Sequence, residues 1–257
     1  MKYTLITGAS SGIGLKLSYI FAKNNHNLIL VARSKDILSI LKDNLQSLYN
    51  IDIKIISLDI SGEKKAFNLY ETIKKKQLKV DILINNAGIG SHGEFIKKNI
   101  QTSLDMINLN IITPTILTKL FLQDMLEAGS GKIFNIASTA AFQSGPLMSV
   151  YYGTKSYLLN FSEGIAEELR DRNIKIVTLC PGPTKTHFEK MDRIEKKFLK
   201  NFHIANPEDI ARYLYKNIDT KKDILIYGNL NKFIIFISKF IPRKINLILV
   251  RKIQEKK

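Results

Sequence analysis

The chain of 257 residues has one cysteine, Cys180, so no internal disulfide can form. A reducing compartment is the expectation. Its four histidines, His26, His92, His187 and His203, do not recur at metal-ligand spacing, and no metal is expected. No Ser-His-Asp set stands in the turn context that a hydrolase nucleophile needs. No apolar run approaches the roughly 20 residues of a membrane span. The start "MKYTLITGAS" lacks the long apolar core of a signal peptide. A cytoplasmic protein is the expectation, with a reservation for the C-terminus. There is no internal repeat and no low-complexity linker. Acids are scarce, 23 Asp and Glu against 39 Lys and Arg, for a formal charge of +16. The lysines are dispersed and no recognition motif accompanies them, so no nucleic-acid partner is expected. What remains is 45% apolar and 24% charged, the composition of a soluble protein with one core.

Short apolar runs alternate with longer amphipathic stretches. Strands are predicted at 3–7, 27–32, 53–57, 81–85, 132–137, 174–180 and 223–228. Most are continuously apolar, as in strands covered on both faces. Helices are predicted at 12–24, 35–49, 63–77, 101–127, 149–172 and 207–219, the last opened by Asn206-Pro207. This order predicts an α/β fold: a single-domain, doubly wound Rossmann sheet of seven parallel strands with helices on both faces. Residues 1–228 would form that domain. A composition break near 229 begins an apolar, basic tail, 229–257.

"TGASSGIG", Thr7 to Gly14, joins the first strand to the first helix. Its glycines fall in the order G-x-x-x-G-x-G. Gly8 lets the chain turn; Gly12 and Gly14 remove Cβ atoms where a pyrophosphate approaches and where helix packs on strand. Ser10, Ser11 and Ile13 complete a loop whose N–H groups can face an anion. After the second strand, a dinucleotide site normally has an acid for the ribose hydroxyls. Here Arg33 and Ser34 follow instead, and an arginine suits a 2′-phosphate. Farther on, "MSVYYGTKSY" sets Tyr151 four and Tyr152 three residues before Lys155. Helical spacing alone does not choose between them.

Over about residues 3–228 these motifs together resemble the short-chain dehydrogenase/reductase family. "TGASSGIG" resembles its cofactor loop and "LVARS" that of its NADP-preferring members. "NNAG" (85–88) resembles its fourth-strand motif, which implies cofactor contacts at Asn86, Ala87 and Gly88. Asp59, with Ile60 beside it, matches the acid that meets adenine. "PGPTKT" (181–186) resembles the loop that holds the nicotinamide amide, through Pro181, Gly182, Thr184 and Thr186. Asn110, Ser138, Tyr151 and Lys155 match the catalytic set. Register to Ser138 and Lys155 selects Tyr151; Tyr152 would pack or line an interface.

The resemblance implies NADP(H)-dependent hydride transfer between nicotinamide and a carbonyl or secondary alcohol. Tyr151 would donate the proton. Lys155 would lower its pKa and grip the nicotinamide ribose, so both residues also touch cofactor. Ser138 would stabilise the developing oxyanion, and Asn110 would hold a relay water. Phe95, Phe142, Leu147, Met148, Phe188 and Met191 would line an apolar pocket for a hydrophobic ketone or acyl-type substrate. Two alternatives stand: a non-catalytic NADP(H)-binding regulator, and a sugar-nucleotide epimerase or dehydratase. The family pattern implies a homodimer or homotetramer through helices 101–127 and 149–172. In the tail, Pro242 separates two apolar runs among basic residues. It would cover the pocket, contact another subunit, or lie on a membrane surface.

Overall fold

The computed structural model describes residues 1–185 and 204–255. Seven parallel strands form one sheet in the order β3-β2-β1-β4-β5-β6-β7. They are β1 Lys2–Thr7, β2 Asn27–Ala32, β3 Ile53–Ser57, β4 Lys79–Asn85, β5 Gly131–Ile136, β6 Ile174–Cys180 and β7 Ile224–Ile226. Successive side chains leave opposite faces of a strand. Ile6, Leu28 and Leu30 accordingly join one buried cluster, while Leu5, Ile29 and Val31 join the other. The first cluster is closed by α1 (Gly12–Lys23), α2 (Lys35–Leu48) and α7 (Pro207–Lys216), through Leu17, Phe21, Leu41 and Leu214. The second is closed by α3 (Glu63–Lys75), α5 (Thr113–Glu127) and α6 (Ser149–Glu168), through Leu69, Leu117, Phe121 and Ile165. This is the expected single-domain doubly wound fold, and both-face burial explains why the strands read as unbroken apolar runs.

The chain runs outward from β1 to β3, then returns to place β4 on the other side of β1. A crevice opens at such a reversal, beyond the strand C-termini. Thr7 and Asn86 brace it. Thr7 Oγ1 accepts from the N–H groups of Asn86 and Ala87, both at 3.0 Å, and Asn86 Nδ2 donates to Thr7 O at 2.9 Å.

The predicted helix 101–127 is not continuous. It divides into α4 (Ile100–Ile107), a π turn at Asn108–Ile112, and α5. Pro114 has no N–H to send to the carbonyl four residues back, that of Asn110, so α-helical bonding lapses there. The last strand is shorter than 223–228, and α6 ends at Glu168 rather than 172. The tail forms α8 (Asn229–Ser238) and α9 (Arg243–Glu255), with Pro242 between them. Among the described residues no helix is long and apolar enough to cross a membrane.

Candidate active site

A cavity of about 830 Å³ lies over the C-terminal ends of β1, β4, β5 and β6. Its floor at one end is the glycine turn. Gly8 has φ +67° and Gly12 φ +54°, both in the left-handed region. A Cβ on Gly14 would stand 2.2 Å from Gly8 O, so Gly14 lies beneath the turn and lets α1 pack on β1. Ser10, Ser11 and Ile13 line the cavity with Gly8 and Gly12. Arg33 reaches its rim and is exposed. Ser34 does not line it; it precedes α2 as the cap residue, without a side-chain bond. Asp59 and Ile60 form the neighbouring wall. Asp59 accepts from Ser61 N and pairs with Lys65. Burial raises its carboxyl, but the bonds from Lys65 and Ser61 outweigh this and leave it below the usual range.

At the other end, Ser138, Tyr151 and Lys155 line the same cavity. Ser138 Oγ accepts from Ala140 N at 3.1 Å and so caps the short 3-10 turn Thr139–Phe142. That bond orients the hydroxyl with its proton free to point elsewhere. Lys155 is buried and donates to Ile136 O at 2.8 Å. Its Nζ lies 5.9 Å from the centre of the Tyr151 ring. Burial lowers the lysine from 10.5 to about 8. Gly88 leaves room for it, since a Cβ there would meet Lys155 Nζ at 3.4 Å and Asn110 Oδ1 at 3.2 Å.

Asn110 does not reach the cavity with its side chain. Its Oδ1 accepts from Ile89 N at 3.0 Å, and its Nδ2 donates to Ile89 O at 2.8 Å and Thr154 Oγ1 at 3.1 Å. Thr154 in turn donates to Tyr151 O at 2.8 Å. The amide therefore ties the loop after β4 to the Tyr151 turn of α6. A buried relay carries the same helix to the sheet: Asn85 donates to Asn135 at 2.8 Å, and Asn135 to Ser162 at 2.7 Å.

The family model described as short chain dehydrogenase matches residues 2–197. The chain belongs to that family of oxidoreductases. It is 31% identical to an NADP-dependent 3-hydroxy acid dehydrogenase of Schizosaccharomyces pombe, over 89% of this chain and 91% of that one. It is also 31% identical to a very-long-chain 3-oxoacyl-CoA reductase of Anas platyrhynchos, over 82% of this chain and 66% of the relative. A solved short-chain dehydrogenase from Sphingobium yanoikuyae, in complex with NADPH, superimposes with a TM-score of 0.83 at 25% identity, covering 93% of this chain and 94% of that one.

Within this short-chain dehydrogenase frame, one cavity gathers most of the residues singled out from the sequence. Asn86, Ala87, Gly88, Pro181, Gly182 and Thr184 line it too. Thr184 Oγ1 donates to Gly182 O at 2.8 Å and stiffens that turn. Thr186, Phe188 and Met191 lie outside the described residues. Phe142 and Met148 line the cavity, but Phe95 and Leu147 do not: Phe95 projects outward from a surface turn. Tyr152 packs, and it also borders the cavity. Its ring covers Gly145, where a Cβ would stand 2.3 Å away, and its hydroxyl accepts from Gln254 Nε2 at 3.0 Å. The tail supplies much of the apolar wall, including Ile234, Ile237, Leu249, Val250 and Ile253, none of which stood out as a site residue in the sequence. The available signal was uncharged polar residues about two turns apart: Asn231 and Ser238 in α8, Asn246 and Gln254 in α9.

Proposed function

We propose that the protein is an NADP(H)-dependent oxidoreductase interconverting an apolar ketone or acyl-type carbonyl compound and its secondary alcohol. The observation that carries this is a single cavity joining the glycine turn to Tyr151, Lys155 and Ser138. A dinucleotide phosphate fits the residues present. Gly8 and Gly12 line the cavity without Cβ atoms, and Gly14 beneath the turn has no space for one. Arg33 and Lys65 border the cavity at the same end as Asp59, and two cations there would favour a 2′-phosphate.

The bound cofactor would donate or accept the hydride. Tyr151 gives its phenolic proton to the carbonyl oxygen as negative charge builds there. Lys155, largely protonated at neutral pH, favours the phenolate that is left. With one proton on Ile136 O, it has two more donors for ribose hydroxyls. Ser138 directs its hydroxyl proton to the same oxyanion. Asn110 is a positioning residue. Its side chain is committed, so any water in the relay would meet its main-chain carbonyl, which Pro114 deprives of an α-helical donor.

At the Tyr151 end, no arginine lines the cavity among the described residues. The wall is Phe142, Met148 and the apolar residues of α8 and α9. This favours an acyl thioester or bulky ketone over a short free oxo acid. The test is initial rates with NADPH and NADH on 3-oxoacyl thioesters, bulky ketones and free 3-oxo acids. Turnover with NADPH and the first two classes is expected. Arg33→Ala should weaken NADPH roughly ten- to hundredfold, the worth of one charged hydrogen bond, and spare NADH. Equal kcat/KM for both cofactors would refute the NADP preference. Tight NADPH binding without turnover of any compound would leave the non-catalytic reading.

A further inference from the structure

The tail buries few of its apolar side chains: among its described residues only Ile235 and Val250 are buried. Its inward positions include Asn231, Ser238, Asn246 and Gln254, all partly buried. Asn231 presses on the catalytic domain so closely that a Cβ on Gly182 would stand 2.6 Å from its amide nitrogen. Leu230, Phe233, Ile237 and Phe240, in α8 and the turn after it, are exposed and spaced three and four apart, so they form one stripe that runs from the cavity edge outward. Phe240 is 71% exposed and Phe233 61%. Phe236 joins them, its ring 5.3 Å from that of Phe240. On α9, Ile245 and Ile248 are also exposed. Leu230, Phe236, Phe240, Ile245 and Ile248 do not line the cavity, so their exposure is to the outside. The turn Phe95–Lys97 also carries exposed apolar side chains, Ile96 being 86% exposed. His92, just before that turn, lies 3.3 Å from Gln254 O.

Cations are interleaved with this surface. Residues 229–255 hold Lys232, Lys239, Arg243, Lys244, Arg251 and Lys252, all exposed, against one acid, Glu255. We propose that α8 and α9 form a docking surface for an anionic lipid bilayer, lying in its plane with the cavity mouth toward the acyl chains. Length fits this role. The helices have 10 and 13 residues, far fewer than a span requires. Apolar side chains would enter the acyl boundary while the cations meet headgroup phosphates. Charge argues against a second copy here, because a two-fold contact would oppose two faces of the same sign. The inference goes beyond the proposed reaction and does not depend on it. Exposed residues that also line the cavity, Phe233, Ile234, Ile237, Leu249 and Ile253, would make the mouth continuous with the lipid.

The test is flotation of the intact chain with vesicles of phosphatidylcholine alone or with phosphatidylglycerol added. Flotation with the anionic vesicles, weakened by salt, is expected. The double variant Phe236→Ser/Phe240→Ser should bind them roughly tenfold or more weakly, since two aromatic side chains no longer leave water. The chain has no tryptophan, so Phe240→Trp gives a single reporter that leaves the fold's interior untouched. Its emission should shift to the blue on adding anionic vesicles. Three results would each overturn the proposal. They are no flotation at low salt, equal flotation of the double variant (mere attraction by the diffuse positive charge), and unshifted emission from the Phe240→Trp variant. A wild type that does not float but dissociates on Phe236→Ser/Phe240→Ser would instead assign the face to a second copy.

Discussion

Tyr151 and Tyr152 are chemically alike and differ by about 100° around α6. Their rings are 6.2 Å apart and inclined at 75°. Tyr151 has Lys155 across its ring face; Tyr152 has Gln254 on its hydroxyl and Gly145 beneath. Burial raises the Tyr152 phenol above its usual value, which suits a group that stays protonated. Tyr151→Phe should lower kcat by several orders of magnitude while NADPH binding persists. Tyr152→Phe should leave kcat nearly intact and raise KM, because it loosens α9. Steady-state kinetics of both variants, with cofactor titration, check this; a reversed pattern would exchange the roles. Lys155 is the costly residue. Its fall from 10.5 to about 8 corresponds to an upper bound of about 3 kcal/mol against folding at neutral pH. Lys155→Met should therefore abolish turnover yet raise Tm of the cofactor-free protein, by roughly 4 °C after the lost bond to Ile136 is subtracted. Between pH 8 and 10.5 the unfolded chain holds this proton and the folded chain does not, so wild-type stability gains with pH. The Tm gap between variant and wild type should narrow over that window in thermal melts.

At the scale of elements, the glycine turn and α1 act as one unit. A side chain at Gly14 meets backbone, Gly8 O at 2.2 Å, and backbone cannot swing aside as a side-chain tip can. Gly14→Ala should shift α1 off β1, lower stability by about 2 kcal/mol and weaken dinucleotide binding more than tenfold. Denaturant melts with a fluorescence titration of NADPH measure both. An unchanged Kd would show that the turn tolerates the displacement. The π turn before α5 likewise sets a position through the backbone. The helix widens there, and the buried Asn110 side chain reaches Ile89 and Thr154 together.

For the whole molecule, exposed apolar area is unequally distributed. The outer sides of α5 and α6 show only scattered residues such as Leu126 and Tyr157, whereas the tail shows a continuous stripe. A homodimer through α5 and α6 would leave that stripe free. Sedimentation at micromolar concentration is expected to give a dimer or tetramer that survives Phe236→Ser/Phe240→Ser. Monomer throughout the range would remove α5 and α6 as an assembly surface.

The alternation of apolar runs and amphipathic stretches was enough to specify the sheet, its helices and the parallel sense, because strands buried on both faces must be apolar throughout. The glycine order and the Ser138–Tyr151–Lys155 register were local patterns, and most of their residues meet in one cavity. Pro114 was the signal in the sequence for the break at Asn110, but the helical period of 101–127 on both sides of it hid the form the break takes, a π turn rather than an end. Nor did the sequence disclose which end of the cavity the tail closes. That depends on contacts between residues far apart in the chain, Asn231 against Gly182 and Gln254 against Tyr152. Periodicity reports which side of a helix is apolar, but not which side is buried. In α8 and α9 apolar residues extend around most of the helix, Ile235 and Val250 are buried while Phe236 and Ile248 are exposed, and only tertiary packing decides between them.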